Sequence, residues 1–212
     1  MTSSTTTNAD APAGKKSSIP TLLTAFRIAM GPLLAALILW AGNELYSDRL
    51  LAGFIFALTL VLFILAALTD WLDGYLARKL DAVTPLGAAL DHAADKVLIT
   101  CVLVALAYAA LPLTLVAAAV LILGRDVAVA GLREGIAAQG KTLPVSQLGK
   151  WKAAAEMAGV GAFLAYQACA ILFAPSWAVL GLDWAARILL WAAAALALVS
   201  GAQYLSALLK RN

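Results

Sequence analysis

From Leu50 to Thr69 the chain runs for twenty residues without a charged side chain. About 20 apolar residues is the length a helix needs to cross the hydrocarbon core of a bilayer. Other apolar runs of similar character lie on both sides of this one, and they are too long to be barrel strands. Overall, 63% of residues are hydrophobic and 13% are charged, against about 45–50% and about 25% in soluble domains. These features predict an all-α integral membrane protein with six transmembrane helices and a short N-terminal interfacial helix.

Residues 1–18 are rich in Ser, Thr and Ala and read as a disordered cytoplasmic tail ahead of a single membrane domain over 19–212. Ile19 to Arg27 (IPTLLTAFR) would be the interfacial helix, with Arg27 as a headgroup anchor or a phosphate contact. The first span is expected from about Thr24 to Gly42. The second runs from Leu50 to Asp70 and continues as helix until Thr84-Pro85 breaks it. The third runs from Leu86 to Ala109, the fourth from Pro112 to Arg133, the fifth from Gln147 to Phe173 and the sixth from Asp183 to Leu209. Gly135 to Ser146 is expected as a loop, and Pro175 to Gly181 as a turn. With six spans, 13 of the 15 Lys and Arg residues fall on the side of the termini, leaving Arg49 and Arg187 opposite. The positive-inside rule makes the crowded side cytoplasmic, in a bacterial inner membrane. A net charge of +3 implies no nucleic-acid partner. Cys101 and Cys169 sit in apolar runs and read as small packing residues rather than a disulfide.

The chemistry is concentrated in DWLDGYLARKLDAVTPLGAALDHAAD, Asp70 to Asp95. Asp70 and Asp73 are three apart, and Asp91 and Asp95 four apart, so each pair shares a helical face. If the two segments are antiparallel neighbours, four carboxylates meet at the membrane edge and repel one another. Arg78 and Lys96 are too few to satisfy eight carboxylate oxygens. A hard divalent cation, taken as a pair, solves the problem more simply.

The pattern Asp70-x-x-Asp73-Gly74-x-x-Ala77-Arg78, eight residues, Gly87-x-x-x-Asp91-x-x-x-Asp95 resembles the signature of the CDP-alcohol phosphatidyltransferases at all eight positions. The resemblance implies metal binding by Asp70, Asp73, Asp91 and Asp95, with Asp95 also the general base. It further implies CDP-diacylglycerol binding by Asp73, Gly74, Ala77 and Arg78. Gly74 and Ala77 would admit the cytidine ring, although close helix packing also explains small residues there. Asp81, outside the signature, reads as a solvated face.

A second constellation is Arg125, Arg133 and Lys150. The two arginines are eight apart and share a helical face. Asp126 and Glu134 could pair them locally; alternatively, with Lys150 they form a pocket for a phosphate-bearing acceptor. Glu156 could pair with Lys152 or belong to that pocket. IPTLLTAFR, TDWLDGYLAR, ADKVL, GRDVAVAGLRE, LGKWK and QYLSA resemble, in order, segments of the bacterial phosphatidylglycerophosphate synthases. That resemblance implies CDP-diacylglycerol and sn-glycerol 3-phosphate as substrates, CMP as a product, two Mg²⁺ or Mn²⁺ ions, and a homodimer among membrane lipids. His92, the only histidine, departs from the family's proline after the third aspartate and reads as a bystander. Other readings are a transferase for another acceptor (inositol phosphate, serine or a second phospholipid) or a cation transporter using the aspartates as its path.

Overall fold

The structure, a computed structural model, describes residues 19–79, 85–138, 140 and 147–209, with side chains left out for 19–23, 70–79, 85–89, 91–92, 205 and 207–209. The proposed tail, Asp81, Lys141 and the terminal Lys210-Arg211 lie outside the described residues.

Six helices follow one another: α1 (Ile19–Glu44), α2 (Arg49–Lys79), α3 (Pro85–Ala109), α4 (Leu113–Ala137), α5 (Gln147–Leu172) and α6 (Trp177–Leu209). Among the described residues there is no strand. Short connections make successive helices antiparallel. One end of the bundle therefore gathers the starts of α1, α3 and α5 and the ends of α2, α4 and α6. Five helices are long and apolar enough to cross a membrane: Thr24–Glu44, Arg49–Thr69, Leu113–Ala137, Gln147–Leu172 and Trp177–Tyr204. The chain is a multi-pass membrane protein.

α2 shows why lipid is its solvent. Ala52, Ile55, Phe56, Phe63 and Ala66 are buried, whereas Phe54, Leu58, Val61, Leu65 and Leu68 lie exposed along the opposite face. A helix apolar all round, with one side outside the protein, belongs against acyl chains. The one buried hydroxyl among its described side chains, at Thr59, donates back to the Ile55 carbonyl at 2.7 Å and is thereby paired in the apolar interior.

Three expectations are corrected. No separate interfacial helix precedes the first span, because α1 runs unbroken from Ile19 to Glu44 and carries Pro32 inside it. The turn expected over Pro175 to Gly181 is shorter: α6 begins at Trp177, where the Ser176 hydroxyl accepts from the Val179 N–H at 3.4 Å. Gly181 is thus helical, and so is Gly135, since α4 continues to Ala137. Gly140 then takes φ 71°, a left-handed conformation that suits glycine.

The helices pack as a ring in the order α1, α2, α5, α6, α4, α3. The seam between α1 and α3 is tight. A Cβ on Gly31 would come within 3.2 Å of the Leu98 Cα, and one on Gly42 within 2.6 Å of the Ala109 Cβ. Leu34, Ile38, Leu98, Val102 and Leu103 are completely buried in the core around that seam. The contact closing the ring, α3 with α4, is the thinnest of the six.

Candidate active site

The polar residues collect at the end of the bundle described above. Asp70, Asp73, Gly74, Ala77 and Arg78 occupy the last turns of α2, and Gly87, Asp91 and Asp95 the first half of α3. The backbone thus brings both halves of the aspartate pattern to one end. Apart from Asp95, the side chains of that pattern and that of His92 lie outside the described residues. Among the described residues no three His, Cys, Asp or Glu side chains gather.

Asp95 is one-third exposed and accepts from the Arg27 guanidinium at 2.5 Å, while Arg27 is wholly buried. In place of the headgroup anchor or phosphate contact expected at its position, Arg27 makes an ion pair from α1 to α3. The partner is 68 positions away, so no local spacing announces it.

Asp95 also lines a cavity of about 320 Å³ shared by α3, α4, α5 and α6. Among the described residues the charged lining side chains are Lys96, Arg125, Arg133 and Lys152 against Asp95, Asp126 and Glu156, four cations to three carboxylates. Arg125 and Arg133 both reach the cavity, as their spacing predicts. Their guanidinium carbons lie 5.7 and 5.6 Å from the Tyr204 ring centroid, within cation–π range. Arg133 donates to the Tyr204 hydroxyl at 3.1 Å, and Arg125 donates to the Ser200 hydroxyl at 2.9 Å. The Nε–H of each arginine is buried without a partner among the described residues. Lys150 is exposed and does not line the cavity. Two residues on, and so about 200° around the helix, Lys152 points inward and is 2% exposed.

Beneath the arginines lies a network that spacing alone does not reveal. Asp126 accepts from Arg125 at 3.1 Å, from Lys152 at 2.7 Å and from Lys96 at 2.5 Å. Lys152 also donates to Glu156 at 2.5 Å. One carboxylate thereby ties α3, α4 and α5 together, in a setting where an unpaired charge is costly. Glu156 pairs with Lys152 and also lines the cavity. The one visible cue was Lys152–Glu156 at i,i+4 inside an apolar helix; Asp126 looked only like a local partner for Arg125.

A fold of membrane helices, with an aspartate pattern at one end and a cationic cavity beside it, has the charge layout of a membrane site for phosphate-bearing ligands. Residues 17–199 match the family model described as CDP-alcohol phosphatidyltransferase, and the chain belongs to that family. Among similar proteins, the CDP-diacylglycerol–glycerol-3-phosphate 3-phosphatidyltransferase of Bacillus subtilis is 34% identical over 89% of this chain and 94% of its own length. The enzyme of that name from Cereibacter sphaeroides is 42% identical over 68% of this chain and 61% of its own. A cardiolipin synthase (CMP-forming) of Oryza sativa is 36% identical over 73% of this chain, which spans just 47% of the rice protein. Membership of the family sets aside the cation-transporter reading.

Proposed function

We propose that this protein transfers the phosphatidyl group of CDP-diacylglycerol to sn-glycerol 3-phosphate, forming phosphatidylglycerol phosphate and releasing CMP. The observation that carries the choice of acceptor is the pair of guanidiniums, Arg125 and Arg133, held on Tyr204 in the cavity that Asp95 also lines. Planar donor forks suit a phosphate. The cavity is at the small end of ligand sites, which run from about 300 Å³, and a three-carbon phosphate suits it better than a whole second phospholipid.

In this reading Arg125 and Arg133 bind the acceptor phosphate, and Lys150 adds attraction from outside the cavity. Asp95 removes the proton from the acceptor hydroxyl as its oxygen attacks phosphorus in line, and the bond to CMP breaks. Arg27 fixes the carboxylate on its helix. Asp73, Gly74, Ala77 and Arg78 bind CDP-diacylglycerol along the end of α2. The all-carboxylate set Asp70, Asp73, Asp91 and Asp95 fits hard divalent cations, two Mg²⁺ or Mn²⁺, and would hold them. Bound there, the metal would supply charge neutralisation at the diphosphate. The protein would work as a homodimer in a bacterial inner membrane. Its active end would face the cytoplasm, where 13 of 15 basic residues are expected.

The test is CMP release from purified protein given CDP-diacylglycerol, a divalent metal and one acceptor at a time. Glycerol 3-phosphate should be the productive acceptor. CMP with phosphatidylglycerol alone would select the chemistry named for the rice relative, and CMP with inositol phosphate or serine alone would select those acceptors. None with any acceptor would end the proposal.

A further inference from the structure

Glu156 carries more than its ion pair with Lys152 requires. The residue is 3% exposed and lines the cavity together with Asp95, Arg125 and Arg133. Its Oε2 accepts from Lys152, while its Oε1 is buried and has no hydrogen-bond partner among the described residues. A buried carboxylate oxygen without a donor is expensive, and such groups are rare unless something else completes them.

The network fixes where this oxygen stands. Glu156 is joined through Lys152 and Asp126 to Arg125, and Asp126 is also bound by Lys96, the neighbour of Asp95 on α3. Phosphate site, reacting hydroxyl and Glu156 are therefore held in one frame. A polyol monophosphate whose phosphate lies on the arginines, with a terminal hydroxyl at Asp95, has donors left only on the carbons between.

Resting on the glycerol 3-phosphate reading, we infer that Glu156 is a specificity-determining residue: its Oε1 accepts a hydrogen bond from the acceptor hydroxyl adjacent to the attacking one. The site thus selects a vicinal hydroxyl, and a phosphorylated alcohol without it is a poor acceptor. A site that leaves a buried polar group unpaired discriminates strongly against the analogue lacking its partner.

The experiment compares sn-glycerol 3-phosphate with 3-hydroxypropyl phosphate, which keeps the phosphate and the primary hydroxyl but lacks the middle one. CMP release is followed with the full-length protein in lipid-containing micelles. The unaltered protein should prefer glycerol 3-phosphate by roughly 10- to 100-fold in kcat/KM, the range of a hydrogen bond to a charged group. Glu156→Met should collapse that ratio toward one, since only the natural acceptor loses a partner. If Glu156 merely buttresses Lys152, both acceptors lose rate together and the ratio persists, which overturns the inference. Should Glu156→Met fail to fold, Glu156→Gln keeps the shape with a weaker, neutral acceptor and should reduce the ratio by several-fold; an unaltered ratio overturns the inference equally. Equal use of both acceptors by the unaltered protein would remove Glu156's role while leaving the reaction intact. No CMP with either acceptor would instead sink the reaction and, with it, this role.

Discussion

The two flanks of α3 are built on opposite principles. Against α1 the seam is dry and close, with Gly31 and Gly42 letting backbones approach so that any added carbon collides. Toward α4 the contact thins, and the gap is a cavity crossed by the ion pairs of Lys96, Asp126 and Lys152. The first flank holds α3 in register. The second leaves a charged cavity beside the closely packed helix. A site in a membrane needs both, because a loose charged gap is tolerable only next to a rigid wall.

Substitutions on the two flanks should therefore fail differently. The largest effect should come from Asp95→Asn, which removes the proposed base: kcat for CMP release should drop by about 10²–10⁴, with helicity retained by circular dichroism. Near-normal turnover would move the chemistry off α3. Arg133→Ala should raise the acceptor KM roughly 10- to 100-fold while the KM for CDP-diacylglycerol holds; initial rates at varied acceptor read this directly. On the dry flank, Gly42→Ala places a carbon where the Ala109 side chain already sits. It should cost about 1–3 kcal/mol of stability, seen as a lower melting temperature, with acceptor KM unaltered. A change in KM there would erase the distinction between the flanks. The smallest effect should come from Lys150→Ala. Its charge is exposed and screened, so acceptor KM should rise by only about two- to fivefold, and less in high salt.

Much of this was legible in the chain. The charge-free run from Leu50, the breaker Pro85 and Pro112 before α4 mark helices by local chemistry that packing does not override. Arg125 and Arg133 were legible because a period of eight keeps two residues on one face. Arg27 was not, since its meaning depends on a partner two helices further on. Nor was the choice of Lys152 over Lys150: both are lysines near a helix start, and only the rotation of α5 against its neighbours decides which points inward. Asp126 stayed hidden because adjacency to Arg125 accounts for one of its three cations, and the others arrive from α3 and α5. The expected interfacial helix is continuous with the first span, as nothing between Arg27 and Ile28 stops a helix and Pro32 does not end this one.

The ring order also dictates when the acceptor receptacle can come into being. α4 leans on α6 far more than on α3, its predecessor, and α6 supplies Tyr204 to the arginines. During synthesis the first three helices can settle together early, carrying their aspartates. The cavity wall that Tyr204 completes must wait for α6 to emerge from the ribosome. A chain stopped short of Tyr204 would lack the ring on which both guanidiniums rest.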